Sequence, residues 1–254
     1  MMGQSPLKIS IITATWNSSK TIRSAVESVL SQDHGAIEYI VIDGGSSDGT
    51  LEILKEYEDQ IDVLVSEPDK GIYDALNKGI QRASGDLVGF LHSDDLFASP
   101  GVISAIATAA QDGDVQAVYG DLNYVGFEDT GRIIRRWTSR NFRPGLLKQG
   151  WMPPHPTLYV RREQYERLGG FDLNYRIAAD YDCILRLFSQ PGFSCRYVPQ
   201  TFVSMRVGGA SNANLKAILR KSSEDFRALR NNGIAFAPVA LLWKNLSKLH
   251  QFFR

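Results

Sequence analysis

Short apolar runs alternate with amphipathic stretches along the first half of the chain. Ile9 to Thr13 is apolar without polar alternation, the pattern of a strand buried on both faces. Thr21 to Ser31 then sets Ile22, Ala25, Val26, Val29 and Leu30 at helical spacing. The alternation continues with a strand over Glu38 to Ile42 and a helix opened by Ser47 or Asp48, with Leu51, Ile53 and Leu54 as its apolar side. A strand over Ile61 to Val65, a helix from about Tyr73 to Ala83 and a strand over Leu87 to Leu91 follow. Ser99-Pro100 reads as a cap and first-turn proline for a helix running to about Ala110, and Val115 to Tyr119 is a further strand. This order predicts an α/β fold, a mainly parallel doubly wound sheet with helices on both faces. In such sheets ligands sit at the carboxyl ends of the strands, here Ala14 to Asn17, Asp43 to Thr50 and His92 to Asp95. All three segments are polar.

The pattern changes after residue 122. Asn123 to Phe127 and Arg132 to Trp137 read as a hairpin around Glu128-Asp129-Thr130-Gly131. Trp151 to Pro156 reads as loop, Thr157 to Arg161 as strand, and Ala178 to Ser189 as helix. From about Leu215 two amphipathic helices are predicted, split near Asn231-Asn232-Gly233. The expected organisation is one domain over 1–214 and a helical tail over 215–254. The domain would divide into one half to about 122 and a second over about 123–214.

With 254 residues and 43% hydrophobic content, the chain is long enough for one well-buried core. Twenty-eight basic residues balance 28 acidic ones, which argues against a nucleic-acid partner. Cys183 and Cys195 show neither metal-ligand spacing nor a disulfide framework. Met1 to Lys8 lacks the apolar core of a signal peptide, and no apolar run reaches membrane-spanning length. The expected location is cytoplasmic, with peripheral contact to the inner face of the inner membrane left open.

Four segments carry candidate chemistry. Asp94 and Asp95 follow directly on an apolar strand. A diphosphate leaving group calls for a hard divalent cation, and Mg²⁺ or Mn²⁺ prefers carboxylate oxygens. Neighbours in extended chain point opposite ways, so one carboxylate would meet the cation while the other faces a group such as a ribose hydroxyl. The plain alternative is a turn or helix cap. Asp43-Gly44-Gly45-Ser46-Ser47-Asp48-Gly49-Thr50 joins a strand to a helix, with glycines that permit close backbone approach. It lacks the signatures of a P-loop or a dinucleotide fingerprint, and an ordinary βα loop remains its alternative. Asp180, near the start of a helix, suits a general base for an acceptor hydroxyl, with Asp172 as competitor and a structural first-turn acid as the alternative. His155, between Pro154 and Pro156, is a candidate acceptor or phosphate contact, or a structural histidine.

Together these segments resemble the family 2 glycosyltransferases, an inverting family with the GT-A fold, over about Lys8 to Ser211. Ile9 to Asn17 is similar to the family's opening strand and nucleotide loop, Asp43 to Thr50 to its "DDGSxDGT" segment, and Asp69 to Gly79 to the stretch flanking the donor. His92 to Asp95 resembles its metal motif, and Asp180 the second residue of its "ED" pair. The resemblance implies a nucleobase held by Ala14, Thr15, Trp16 and Asp43, with Asp69 and Lys70 beside the donor. It implies Asp94 near ribose or diphosphate, Asp95 on Mg²⁺ or Mn²⁺, and Asp180 as base. Departures are His92 in place of a further aspartate, Leu76 in place of arginine, Ala179 in place of glutamate, and no histidine in Arg206 to Ser211. The Tyr73 to Gly79 form resembles a bacterial subgroup acting in surface polysaccharide or glycolipid assembly.

The implied activity is transfer from a nucleotide-diphosphate sugar, UDP by resemblance, to a carbohydrate or lipid-linked carbohydrate. A nucleotidyltransferase is disfavoured because Thr13 to Ser19 lacks the glycine-rich basic loop such enzymes carry after their first strand. A non-catalytic nucleotide-sugar-binding module is the other alternative. In the tail, Leu242, Leu246, Leu249 and Phe253 share a face away from Lys244 and Lys248, which suits a membrane surface, docking on the catalytic domain, or a homodimer.

Overall fold

The structure, a computed structural model, describes residues 6–208, 215–235 and 237–246. The first half builds β1 (Ile9–Thr15), α1 (Ile22–Leu30), β2 (Ile37–Asp43), α2 (Thr50–Lys55), β3 (Val63–Ser66), α3 (Ile72–Arg82) and β4 (Leu87–Phe90). Then come β5 (Asp95–Phe97), α4 (Val102–Ala109), β6 (Ala117–Val125), β7 (Ile133–Trp137), β8 (Tyr159–Arg161), α5 (Arg162–Leu168), α6 (Ala179–Phe188) and β9 (Cys195–Arg206). Two helices, α7 (Leu215–Asn231) and α8 (Ala237–Leu246), follow.

Among the described residues the strands form one sheet in the order β3-β2-β1-β4-β8-β6-β9-β5, with β7 paired to β6. The first four are parallel, as the alternation of strand and helix predicts. Beyond β4 the sheet is mixed: β8 runs antiparallel to both β4 and β6, β6 and β9 are parallel, and β5 closes the edge antiparallel to β9.

Strand alternation divides the core. Ile9 and Ile11 of β1 face one side with α1 and α4, while Ile12 and Ala14 face the other with α3, α6, α7 and α8. The nine-residue α1 is too short to persist alone and is held by burying Ile22, Ala25, Val26 and Val29. A Cβ on Gly79 would lie 2.4 Å from Ile12 Cγ2, so this glycine lets α3 sit directly on β1. That contact fixes the start of α3 beside the sheet's carboxyl edge.

Several elements depart from the sequence expectation. The strand read over Val115 to Tyr119 and the first arm of the hairpin are one strand, β6. The long β9 has no counterpart in the sequence reading, because Pro199 interrupts its pattern. Its register against β6 shifts there, from Tyr119↔Tyr197 to Asp121↔Thr201. Ser99 does not cap α4, whose N-cap is Gly101. The tail does split near Asn231-Asn232-Gly233, and α7 and α8 pack on the body through Ala228, Leu229, Ala237 and Ala240. Lys244, expected on a polar face, is buried against Asp225 at 2.8 Å and lies over the Tyr181 ring. Val239, Leu242 and Trp243 of α8 are exposed, while the side chain of Leu246, and Lys248, Leu249 and Phe253 altogether, lie outside what the structure describes. No helix among the described residues is long and apolar enough to cross a membrane.

Candidate active site

Three loops meet at the carboxyl edge of β1, β2 and β4. The register pairs Thr15 with Asp43, and the Gly44 amide donates to the Thr15 carbonyl at 2.9 Å. Asn17, in left-handed conformation at φ 49°, donates its amide to Ser46 Oγ, and its Oδ1 accepts from the Ser47 amide. The Ser19 amide donates to Asp48 Oδ2, and Ser18 Oγ and Ser93 Oγ are hydrogen-bonded at 2.9 Å. The loop after β1 is thereby tied to both of its neighbours.

Ala14 and Thr15 are buried, and Trp16 is 66% exposed at the rim. A Cβ on Gly44 would lie 2.4 Å from Asp69 Oδ2 and 3.5 Å from Trp16 Cδ1. The absence of a side chain at Gly44 therefore lets Trp16 and Asp69 close one corner. Asp69 Oδ1 accepts from the Gly71 amide, the Lys70 amide donates to Asp74 Oδ2, and Lys70 itself is exposed.

Asp43 is fully buried. Its carboxylate accepts from the amides of Gly45 and Ser46, from Ser46 Oγ at 2.5 Å and from Ser66 Oγ at 2.6 Å. Those bonds shape the loop, and a direct contact between Asp43 and a base would have to exchange one of them.

Asp95 is the opposite case. It is 1% exposed, and both carboxylate oxygens are buried without a hydrogen-bond partner. Burial and the neighbouring Asp94 push its pKa well above the ordinary carboxylate value, against the pull of Arg206. Asp95 closes a turn, its amide donating to the His92 carbonyl at 3.0 Å, and opens β5, so the pair does sit in a turn but caps no helix. Asp94 is half-buried, and its carbonyl accepts from Arg206 Nη1 at 2.8 Å. The same guanidinium reaches the Phe127 carbonyl and Ser24 Oγ, which fixes the acidic pair from behind.

Asp180 lies in the first turn of α6, with Tyr73 Oη donating to the Ile177 carbonyl at 2.6 Å and to Asp180 Oδ1 at 3.3 Å. Burial, with the Asp180 carboxylate beside it, pushes the Tyr73 phenol well up, so Tyr73 stays a donor. Asp172 is spent on its own turn, accepting from the Asn174 amide and side chain. Asp182 pairs with Arg186 and Asn232.

His155 stacks on Phe90 at 5.3 Å and meets Phe171 edge-on. Burial pushes its pKa down to about 4, so it is a neutral ring with an unpartnered Nε2 rather than a cationic phosphate contact. The His92 ring lies 6.2 Å away, with Nδ1 unpartnered and its pKa lowered by burial, against the attraction of Asp94 and Asp180. His92, Tyr73 and Arg206 had no role in the sequence reading. Tyr73 and His92 stood inside the quoted motifs, but their partners, Ile177 and Asp180 for one and His155 for the other, lie far along the chain.

The donor set suits a cation only with help. Asp95 offers two unsatisfied oxygens, yet no group of three or more His, Cys, Asp or Glu among the described residues is placed to hold a metal. One or two protein carboxylates completed by ligand oxygens is the usual way Mg²⁺ is held at phosphate sites.

A half-parallel sheet closed by antiparallel strands, with acidic loops at the carboxyl edge, is the architecture of the GT-A fold. Residues 10–169 match the model of glycosyl transferase family 2, and the chain belongs to that family. It is 38% identical to an uncharacterized glycosyltransferase of Mycobacterium tuberculosis over 70% of this chain and 68% of the relative. It is 31% identical to a PGL/p-HBAD biosynthesis glycosyltransferase of Mycobacterium bovis over 80% and 78%. Among solved structures it resembles a mannosyltransferase of Pyrobaculum calidifontis in complex with GDP-Man and Mn²⁺. The TM-score is 0.67 at 16% identity, covering 97% of this chain and 75% of that one.

Proposed function

We propose that this glycosyltransferase is an inverting enzyme that moves a sugar from a nucleotide-diphosphate donor to a carbohydrate or lipid-linked carbohydrate, with Asp180 as base. The observation that carries the reading is Asp95, a buried carboxylate with no partner on either oxygen, at the carboxyl edge of the parallel sheet. Left ionised, such a group is costly unless a ligand supplies opposite charge; without one it holds its proton. The Mn²⁺ and GDP-Man bound by the archaeal neighbour support the same chemistry.

In this mechanism Trp16 and the loop shaped by Asp43 receive the base, with Asp69 and Lys70 beside the donor. Asp94 faces the ribose or diphosphate, and Asp95 holds Mg²⁺ or Mn²⁺. A divalent cation, when bound, neutralises the departing diphosphate. Asp180, oriented by the Tyr73 hydroxyl, removes the acceptor proton as that oxygen attacks the anomeric carbon from the face opposite the leaving group. A single displacement inverts the anomer. The neutral His155 ring offers a hydrogen bond, not a charge, to the acceptor. The Mycobacterium bovis relative's part in PGL/p-HBAD biosynthesis supports a bacterial surface glycan or glycolipid as acceptor.

A panel of UDP- and GDP-sugars, with Mn²⁺ and with chelator, tests this reading through binding and release of nucleoside diphosphate. Asp180→Asn is expected to keep donor binding and to lower turnover by about 10²–10⁴-fold. Normal turnover in that variant removes Asp180 as the base. Binding without turnover by the unmodified protein favours a binding module.

A further inference from the structure

Helix α7 reaches the segment that carries the candidate base from behind. Glu224, on α7 and 8% exposed, accepts with one oxygen, Oε2, from three consecutive amides: Arg176 at 3.1 Å, Ile177 at 2.8 Å and Ala178 at 3.0 Å. These amides lead directly into α6, whose N-cap, Ala178, makes no side-chain capping bond of its own. The carboxylate thus does from another helix what a capping residue does locally, placing negative charge where helix-start donors converge.

Further contacts hold the same segment. Asn231 donates to Tyr175 Oη, Arg227 Nη2 donates to the Asn174 carbonyl with its guanidinium over the Tyr175 ring, and Asn232 donates to Asp182. The Ile177 carbonyl, on the clamped segment, is the second acceptor of the Tyr73 hydroxyl that reaches Asp180. Segment, tyrosine and carboxylate are therefore positioned together.

We propose that Glu224 is a positioning residue for Asp180, so that α7 belongs to the catalytic unit. This rests on Asp180 being the base. Glu224→Ala removes the acceptor. Glu224→Asp keeps charge but withdraws the oxygen from the amides. Glu224→Gln keeps an acceptor without charge.

The test has two arms on the full chain. In amide hydrogen exchange, which needs no ligand, residues 176–180 are expected to exchange about tenfold faster or more in Glu224→Ala and Glu224→Asp, and near the unmodified rate in Glu224→Gln. In nucleoside-diphosphate release from UDP-N-acetylglucosamine, UDP-glucose and GDP-mannose, the first two variants are expected to lose up to about 100-fold in kcat with donor KM changed little. Glu224→Gln is expected to recover most of that loss. If Glu224→Ala fails to fold, Glu224→Asp carries the test. Unchanged exchange, or unchanged kcat in Glu224→Asp while Asp180→Asn is inactive, overturns the clamp and leaves the base reading standing. Full activity in Asp180→Asn overturns the base reading, and the clamp's catalytic meaning falls with it.

Discussion

The loops after β2 and β4 end in the same kind of group and treat it in opposite ways. Both carry an aspartate with almost no exposure at the carboxyl edge of the parallel strands. Asp43 is surrounded by donors from its own loop and from Ser66, whereas Asp95 has none. A buried carboxylate with its hydrogen bonds supplied is a structural anchor. One without them either holds a proton, as the raised pKa of Asp95 favours, or takes opposite charge from a ligand. Burial and acidity alone therefore do not separate a ligand-binding aspartate from a loop-shaping one. The partner count does.

The sharpest way to break this contrast is at Asp95. Asp95→Asn is expected to lower metal-stimulated turnover by about 100-fold or more. It should leave the ligand-free protein at least as stable, because a neutral amide is cheaper to bury than an unpaired charge. Its raised pKa gives the second measurement. Extra proton binding by the folded state stabilises it fully below the unfolded pKa, and this stabilisation is lost as pH rises through the raised folded value. Chelator-treated protein should therefore melt lower as pH climbs through that window, and Asp95→Asn should flatten the slope. Unchanged activity with and without chelator would place the cation elsewhere or nowhere.

Asp43→Ala should move stability the other way. It strands the Gly45 and Ser46 amides and two hydroxyls, at a cost of about 3 kcal/mol, or roughly 10 °C in melting temperature for a chain of this size. Donor affinity should fall as well, because the loop beside Trp16 loses its shape. A melting temperature that drops equally in Asp43→Ala and Asp95→Asn would erase the distinction between the two loops.

The sequence displayed one side of this contrast well. The parallel half was legible because its strands are buried on both faces and its connections are local, so each apolar run announces itself. The acidic loops were legible as candidates for the same reason, since they stand at predicted strand ends. What they do was not. The donors that saturate Asp43 include Ser66, 23 residues away, and Asp180 is fixed by the Tyr73 hydroxyl and, through the 176–178 segment, by the Glu224 carboxylate that accepts from its amides. The second half hid more. Strand β9 carries Pro199 inside a register shift, β5 has only three residues, and α5 reads as a charged stretch with Gln164 and Tyr165 as its buried positions. Lys244 shows the limit of a helical wheel: periodicity placed it on a polar face, while Asp225 and the Tyr181 ring hold it inside. Burial pulls its pKa down to about 8, with Asp225 opposing that fall.

The smallest expected effect tests whether the satisfaction of Asp43 is shared among its donors or rests on one. Ser66 is exposed on the last residue of β3, and its hydroxyl donates to Asp43 Oδ2 at 2.6 Å, an oxygen that also accepts from the Gly45 and Ser46 amides at 3.2 and 3.1 Å. Ser66→Ala removes the shortest of the three. If the acceptor's demand is shared, the amides keep the oxygen satisfied and the loss is that of one hydrogen bond to a charged group, about 1–2 kcal/mol. If Ser66 alone keeps Asp43 from becoming a second Asp95, the variant should approach the cost of Asp43→Ala. Thermal melts of Ser66→Ala beside Asp43→Ala separate the two, because a shared demand leaves a drop well below that of Asp43→Ala and a demand resting on Ser66 alone gives an equal one.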